Sequence, residues 1–131
     1  MVCIYCGSKT EVTNSRLQKR SNSVWRRRHC PACGAIWTSL EVPEARSAFR
    51  VMQGESMHEF EPETLMISLY EALRHRKTAA TDAAALSQTV INMLYKKREA
   101  IIQTAEIKNT ALLVLGRFDK TAAAVYKATA S

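Results

Sequence analysis

The sequence predicts an α+β protein, in which a small module of short antiparallel strands is followed by a mostly helical region containing a β-hairpin. Two observations predict this arrangement. All 4 cysteines of the 131-residue chain lie at its N-terminal end, among short strand-forming segments separated by polar turns. Beyond the middle of the chain, apolar residues recur at helical spacing in successive stripes.

The charge distribution follows the same division. The chain is 47% hydrophobic, which excludes a wholly disordered chain. Its net charge of +7 favours a polyanionic partner. Residues 1–42 hold 7 basic and 2 acidic groups, residues 43–64 hold 2 basic and 5 acidic groups, and residues 65–131 hold 10 basic and 5 acidic groups. We therefore predict two domains, 1–42 and 46–131, with the change of charge sign near their boundary.

The cysteines form two Cys-x-x-Cys pairs, Cys3/Cys6 and Cys30/Cys33. No secretory signal or membrane-spanning segment is visible, so we expect a cytoplasmic protein with reduced thiols and no membrane partner. Two such pairs can present four thiolates to one ion, the arrangement that suits a single structural Zn²⁺ in a zinc ribbon. The alternatives are unliganded cysteines, an iron–sulfur cluster, and a redox dithiol, for which the surrounding βαβ pattern is missing.

Two short strands are predicted between the cysteine pairs, over 11–16 and 23–28, with a polar hairpin tip at 18–22, and a third strand over 36–40 follows the second pair. Arginines dominate their basic residues, and the guanidinium fork suits phosphate oxygens and guanine edges. Stacking aromatics are scarce, so duplex DNA is favoured over single strands; the alternative is a merely solvated charged face. The candidate DNA-contacting residues are Arg16, Lys19, Arg20, Arg26, Arg27 and Arg28, and Asn14 and Ser15 add short polar groups.

The second region begins with a predicted hairpin, whose strands 47–52 and 56–60 flank a turn centred on Gly54. Pro62 suits the first turn of a helix that we expect to end in the basic residues 74–77. The predicted buried stripe of that helix consists of Met66, Ile67, Tyr70 and Leu73.

Three further helices are predicted. The second helix would bury Leu86, Val90, Met93 and Leu94, and the third would bury Ile107, Ala111, Val114, Leu115 and Phe118. Asp119 is the expected cap of a short fourth helix. The sequence offers no paired-carboxylate site, catalytic triad or phosphate-binding glycine loop, so we predict that the protein is not an enzyme.

These residues resemble one bacterial family, the NrdR zinc-ribbon/ATP-cone repressors of ribonucleotide reductase genes. The first region matches it in the Cys-x-x-Cys pairs, in Asn14-Ser-Arg (where the family prefers Asp-Ser-Arg), in three consecutive arginines before the second pair, and in Trp37-Thr-Ser-x-Glu. The second region is similar to an ATP-cone in its glycine-centred hairpin, in Phe60-Glu-x-Glu and in the spacing of its last helices.

The resemblance implies a homo-oligomeric DNA-binding repressor that is associated with the nucleoid and senses ATP and dATP through the cone. In this chain the hairpin lacks the family's lysine–arginine pair, so Arg50 is the one nucleotide-binding candidate there. Thr64 stands where the family has a further lysine, and the sequence stops at Ser131, short of the family's C-terminal tail. Whether ATP or dATP binds is therefore left open, and the alternative function is a zinc-ribbon adaptor that binds proteins and no nucleotide.

Overall fold

The computed structural model describes residues 1–129, and the last two positions of the predicted second domain lie outside them. The chain divides into two compact units, Met1–Pro43 and the part from Glu44 onward. An antiparallel sheet is followed by a mostly helical region with a mixed sheet, so the α+β prediction is confirmed. Within residues 1–129 no helix combines the length and the apolar character needed to cross a membrane.

The first unit is a three-stranded antiparallel sheet in the order β1-β2-β3. The strands are β1 (Glu11–Gln18), β2 (Ser23–His29) and β3 (Ile36–Glu41), each slightly longer than predicted. At the tip between β1 and β2, Asn22 adopts a left-handed conformation with φ of 47°. Asparagine tolerates this conformation better than most residues, which explains the sharp reversal there.

A β-bulge interrupts the pairing of β1 with β2. Val12 lies opposite Arg28 and Asn14 lies opposite Arg27, so Thr13 is the extra residue. Its hydroxyl donates to the backbone oxygen of Arg27 at 3.3 Å. Because paired residues share a face of the sheet, the regular pairing between the tip and the bulge puts Asn14 on the face of Arg27.

The second unit contains five helices and three strands within its described residues. Its elements are α1 (Ala45–Ala48), β4 (Arg50–Gln53), β5 (Ser56–Glu59), α2 (Pro62–Ala72), α3 (Ala79–Lys96), β6 (Ile101–Gln103), α4 (Thr104–Phe118) and α5 (Lys120–Thr129). The sheet order is β5-β4-β6, with β5 antiparallel to β4 and β6 parallel to it. The helices pack around a core that includes Phe60, Leu69, Leu94, Ile102 and Leu115, each at most 2% exposed.

The hairpin prediction is confirmed, with Gly54 in the turn at φ of 63°. The predicted start of its first strand at Ser47 is wrong, because residues 45–48 form the helical turn α1 and Phe49 N–H bonds to Ala45 O. Strand β6 was not predicted. Its three residues are too few to show an alternating pattern, and the pairing with β4 is long-range.

The predicted buried face of α2 is largely wrong. Met66, Ile67 and Tyr70 are 40%, 59% and 41% exposed, whereas Leu65 and Leu69 are at most 5% exposed. The helix also ends at Ala72 rather than in the basic segment 74–77, which forms the connection to α3. Since apolar residues occupy both sides of α2, periodicity alone could not identify the side that packs on α3 and α5.

The remaining helical predictions are mostly confirmed. Val90 and Leu94 on α3 and Ala111 and Leu115 on α4 are fully buried. Leu86, Met93 and Ile107 are only partly buried against the core. Phe118 is 42% exposed and lies beneath the Arg76 guanidinium, whose carbon is 4.5 Å from the ring centroid. The fourth helix exists as α5, and its predicted cap is present, since the Ala122 N–H donates to Asp119 Oδ1 at 3.0 Å.

Candidate zinc centre and nucleic-acid interface

The two Cys-x-x-Cys pairs form matching turns. In the first, Gly7 N–H donates to Cys3 O at 3.0 Å, and in the second, Gly34 N–H donates to Cys30 O at 2.8 Å. Both glycines have φ of 78°, a left-handed conformation that other residues seldom adopt. The glycines therefore permit each turn to bring its two sulfurs to the same side.

The four cysteine sulfurs converge on one point, with all of them within 4.8 Å of one another. Cys3 Sγ is 3.7 Å from Cys33 Sγ, and Cys6 Sγ is 3.5 Å from Cys30 Sγ. A tetrahedron with Zn–S bonds of about 2.3 Å has edges of roughly 3.8 Å, so these two separations match those of four thiolates around one zinc ion. Disulfide bonds, by contrast, require about 2.05 Å, and none of the four cysteines forms one.

The thiols differ in acidity. The Ser8 hydroxyl, and then its backbone N–H, lower the pKa of the Cys6 thiol to about 6. At Cys33 the Ala35 N–H lowers the pKa, but desolvation and the neighbouring Cys30 thiol outweigh it and raise the pKa to about 12. Without a metal, the cluster would therefore hold protons at neutral pH, and a zinc ion that binds four thiolates displaces them.

The predicted DNA-contacting arginines lie on two different faces of the first sheet. Arg26 and Arg28 share one face, which we call the Arg26 face; it also carries Trp37, Ser39 and Glu41. Arg26 Nη1 donates to Glu41 Oε2 at 2.9 Å. Arg28 Nε donates to Ser39 Oγ at 2.8 Å, and its guanidinium carbon lies 5.9 Å from the Trp37 ring centroid. Both guanidinium groups are thus engaged within the sheet.

The opposite face, which we call the Arg27 face, has two central rows across the three strands. One row runs Asn14, Arg27, Thr38 and the other Arg16, Trp25, Leu40. The Arg27 guanidinium carbon lies 5.7 Å from the centroid of the Trp25 ring, within the range of a cation–π contact. The side chains of these two rows are exposed apart from Trp25, which is half-buried.

Lys19 and Arg20 lie at the hairpin tip, beyond the last paired residues of β1 and β2. Within residues 1–129, neither they nor Arg16 and Arg27 form an ion pair, whereas Arg26 does. The six predicted residues are therefore not one continuous strip. Thr38, a neighbour of Arg27 on β3, was missed in the sequence because its proximity depends on the β2–β3 register.

In the second unit a cavity of about 390 Å³ opens between the hairpin, α2, α4 and α5. Apolar side chains such as Val51, Phe60 and Leu65 form much of its wall, and hydroxyl groups from both α2 and α5 border it. Its volume falls within the range of small-molecule sites. Its lysine, Lys108 on α4, was not identified from the sequence, because nothing in the pattern of α4 distinguishes it from a solvated charge.

Arg50, the predicted nucleotide-binding residue, does not line this cavity. Val51 and Gln53 on the same strand do, and successive side chains of a strand alternate between faces. Arg50 thus lies on the other face of β4. Thr64 does border the cavity, and its hydroxyl donates to Glu61 Oε2 at 2.7 Å.

A four-cysteine cluster of tetrahedral dimensions at the base of a basic three-stranded sheet defines a zinc-ribbon protein. Comparisons with known proteins agree. The family described as "Transcriptional repressor NrdR-like, N-terminal domain" matches residues 1–41. Proteins named transcriptional repressor NrdR align over nearly the whole chain. The one from Rhodospirillum centenum is 34% identical over 97% of this chain and 86% of its own length, and the one from Chromobacterium violaceum is 30% identical over 97% and 87%.

A third relative of the same name, from Methylocella silvestris, is 31% identical over 97% of this chain and 75% of its own length. The alignments extend well beyond the cysteines and cover both structural units. The chain belongs to the NrdR family.

Proposed function

We propose that this protein is a zinc-dependent, sequence-specific DNA-binding transcriptional repressor that acts as a homo-oligomer on ribonucleotide reductase genes. The observation that carries the proposal is the tetrahedral cluster of Cys3, Cys6, Cys30 and Cys33 beneath a sheet whose exposed arginines lack acidic partners within the described residues. Membership of a family whose members are named transcriptional repressors supports the role.

Zinc has a structural part in this proposal. The first unit has few buried apolar side chains, so its hydrophobic core is too small to fold it alone. Cys3 and Cys30, 3% and 0% exposed, would hold the ion together with Cys6 and Cys33 and thereby fix the loops at the base of the sheet. All four ligands come from the protein, which leaves no open position for catalysis.

The exposed basic side chains would then meet the DNA backbone. Each phosphate contact releases counterions, so the affinity should fall steeply as salt rises. The test is the binding of zinc-loaded protein to duplexes from the upstream regions of the host's reductase genes, compared with unrelated duplexes of equal length. Tighter binding to the upstream duplexes supports the proposal. Absence of binding to any duplex at low salt would contradict it and favour the adaptor function.

We further propose that the second unit is an ATP-cone whose cavity receives ATP or dATP. The location of the cavity between the hairpin and the helices, and its volume of about 390 Å³, support this assignment. Lys108 would contact a phosphate, while hydroxyl groups of Thr64 and Thr104 border the same space. Calorimetric titration of the zinc-loaded protein with ATP and with dATP tests this assignment. If neither nucleotide gives a binding heat, the second unit would serve as an oligomerisation module only.

A further inference from the structure

We infer that the Arg27 face is the base-reading face of the sheet, and that Asn14 and Arg27 together read two adjacent base pairs in the major groove. This inference rests on the proposed DNA-binding function and deepens it. Asn14 and Arg27 are direct cross-strand neighbours on one face. Arginine pairs in bidentate fashion with guanine O6 and N7, and asparagine with adenine N6 and N7.

The register of the hairpin creates this pair. Pairing is regular from Gln18 and Ser23 at the tip to Asn14 and Arg27, and it places Arg16 on the same face. The β-bulge at Thr13 follows immediately, so Val12 rather than Thr13 lies opposite Arg28. The Thr13 hydroxyl bond to Arg27 O stabilises the irregular pairing at this position.

The spacing fits DNA. Directly opposed residues on neighbouring strands have Cβ atoms about 4.5–5.5 Å apart, and successive bases are about 3.4 Å apart, so two long side chains reach adjacent pairs. A major groove about 12 Å wide admits two β-strands side by side, so β1 and β2 would enter it and β3, the third strand of the sheet, would lie at its rim. The contact of Arg27 with the Trp25 ring restrains its side chain before binding, which reduces the entropy lost on recognition.

The distribution of carboxylates distinguishes the two faces. On the Arg26 face, Glu41 lies opposite Val24, between Arg26 and the hairpin tip, and binds Arg26. On the Arg27 face, Glu11 lies at the cysteine end and contacts His29 at 3.0 Å. The path from Arg27 through Arg16 to the tip is therefore basic and free of carboxylates. Arg16 and the tip residues would contact phosphates on either side of the bases that are read.

The experiment uses full-length zinc-loaded protein and duplexes enriched by the wild type from a randomised pool. Affinities are measured by fluorescence anisotropy for the enriched duplex and for its single-base variants. Arg27→Ala should weaken binding to the enriched duplex roughly 5- to 100-fold and flatten discrimination at one position. Arg26→Ala, which removes the same side chain on the other face, should change affinity by less than about 3-fold.

Asn14→Asp tests the pairing directly, with Ser15→Ala on the opposite face as its control. Replacing the amide by a carboxylate should move the preferred base next to the Arg27 position from adenine to cytosine, because a carboxylate accepts from cytosine N4. Zinc content and circular dichroism establish that each variant folds. If Arg27→Ala does not fold, Arg27→Lys serves instead, since it keeps the charge and removes the fork.

The outcomes separate the two proposals. The inference is supported if the wild type enriches a duplex, if Arg27→Ala loses more affinity for it than Arg26→Ala does, and if Asn14→Asp shifts the base preference. Equal losses at Arg26 and Arg27, or an unchanged preference for Asn14→Asp, overturn it while DNA binding itself stands. A wild-type protein that enriches no duplex overturns the proposed function, and the inference with it.

Discussion

Arg76 Nη1 donates to Asp119 Oδ2 at 3.0 Å, and the other oxygen of the same carboxylate caps α5. Asp119 thereby joins the connection after α2 to the junction of α4 and α5. We expect Asp119→Ala to lower the melting temperature of the second unit by roughly 4–8 °C, the usual effect of losing a helix cap in a domain of this size. Glu71→Ala, which breaks an exposed pair with Arg74, is the matched control and should have little effect.

The Asp119 carboxylate should also make stability depend on pH. The Ala122 N–H, and then His75, hold its pKa far below the usual value of about 3.9. A carboxylate whose pKa is lower in the folded state stabilises the protein above the unfolded pKa, and this contribution is lost as the pH falls below it. The difference in unfolding free energy between wild type and Asp119→Asn should therefore narrow as the pH falls below about 4. A difference that stays constant down to pH 2 would contradict this explanation.

The buried face of α2 can be tested with two substitutions on one helix. Leu69 is fully buried and Ile67 is 59% exposed. Leu69→Ala should cost about 2–5 kcal/mol of unfolding free energy, because it leaves a cavity in the core. Ile67→Ala should stay within about 0.5 kcal/mol. Chemical denaturation of the two variants measures both values, and equal losses would mean that the helix packs through a different face.

The different positions of Lys108 and Arg50 relative to the cavity give a test of the nucleotide site. Lys108 borders the cavity, and Arg50 lies on the other face of β4. If the wild type binds ATP or dATP, Lys108→Ala should weaken the affinity about tenfold, as expected for loss of one charged contact. Arg50→Ala should leave it unchanged. Calorimetry that finds the reverse pattern would place the phosphates outside the cavity.

Zinc binding should be confined to the first unit. Cys30→Ser removes a buried sulfur from the cluster, and we expect the first unit to unfold while the helices of the second unit persist. Heteronuclear NMR would then show collapsed dispersion for residues 1–43 only. Leu69→Ala is the converse control, because it disturbs the second unit and should leave one zinc per chain. Loss of both units in Cys30→Ser would contradict independent folding.

The features that could be predicted from the sequence are those carried by local pattern. The cysteine spacing, the three strands, the glycine turn of the hairpin and the Asp119 cap each depend on a few neighbouring residues. The packed face of α2 was predicted wrongly because Leu65 and Ile67 are equally apolar, and packing against α3 and α5 determines which of them is buried.

The positions of the arginines on the first sheet could be predicted only in part. Alternation along β2 places Arg27 on the face opposite Arg26 and Arg28, and the hairpin register brings Asn14 and Arg16 to the face of Arg27. The bulge at Thr13 has no clear sequence signal, yet it shifts the pairing of the β1 residues that precede it. Lys108 was missed for a similar reason, because the cavity is assembled from segments far apart in the sequence.

The zinc-held first unit is proposed to bind duplex DNA. The most direct test is the affinity of the full-length protein for a reductase-gene upstream duplex, measured with zinc bound and after chelation, over 50 to 200 mM salt. We expect tight binding only with zinc, and an affinity that falls along a straight line against salt on logarithmic axes. Equal binding before and after zinc removal, or none at the lowest salt, would contradict the account.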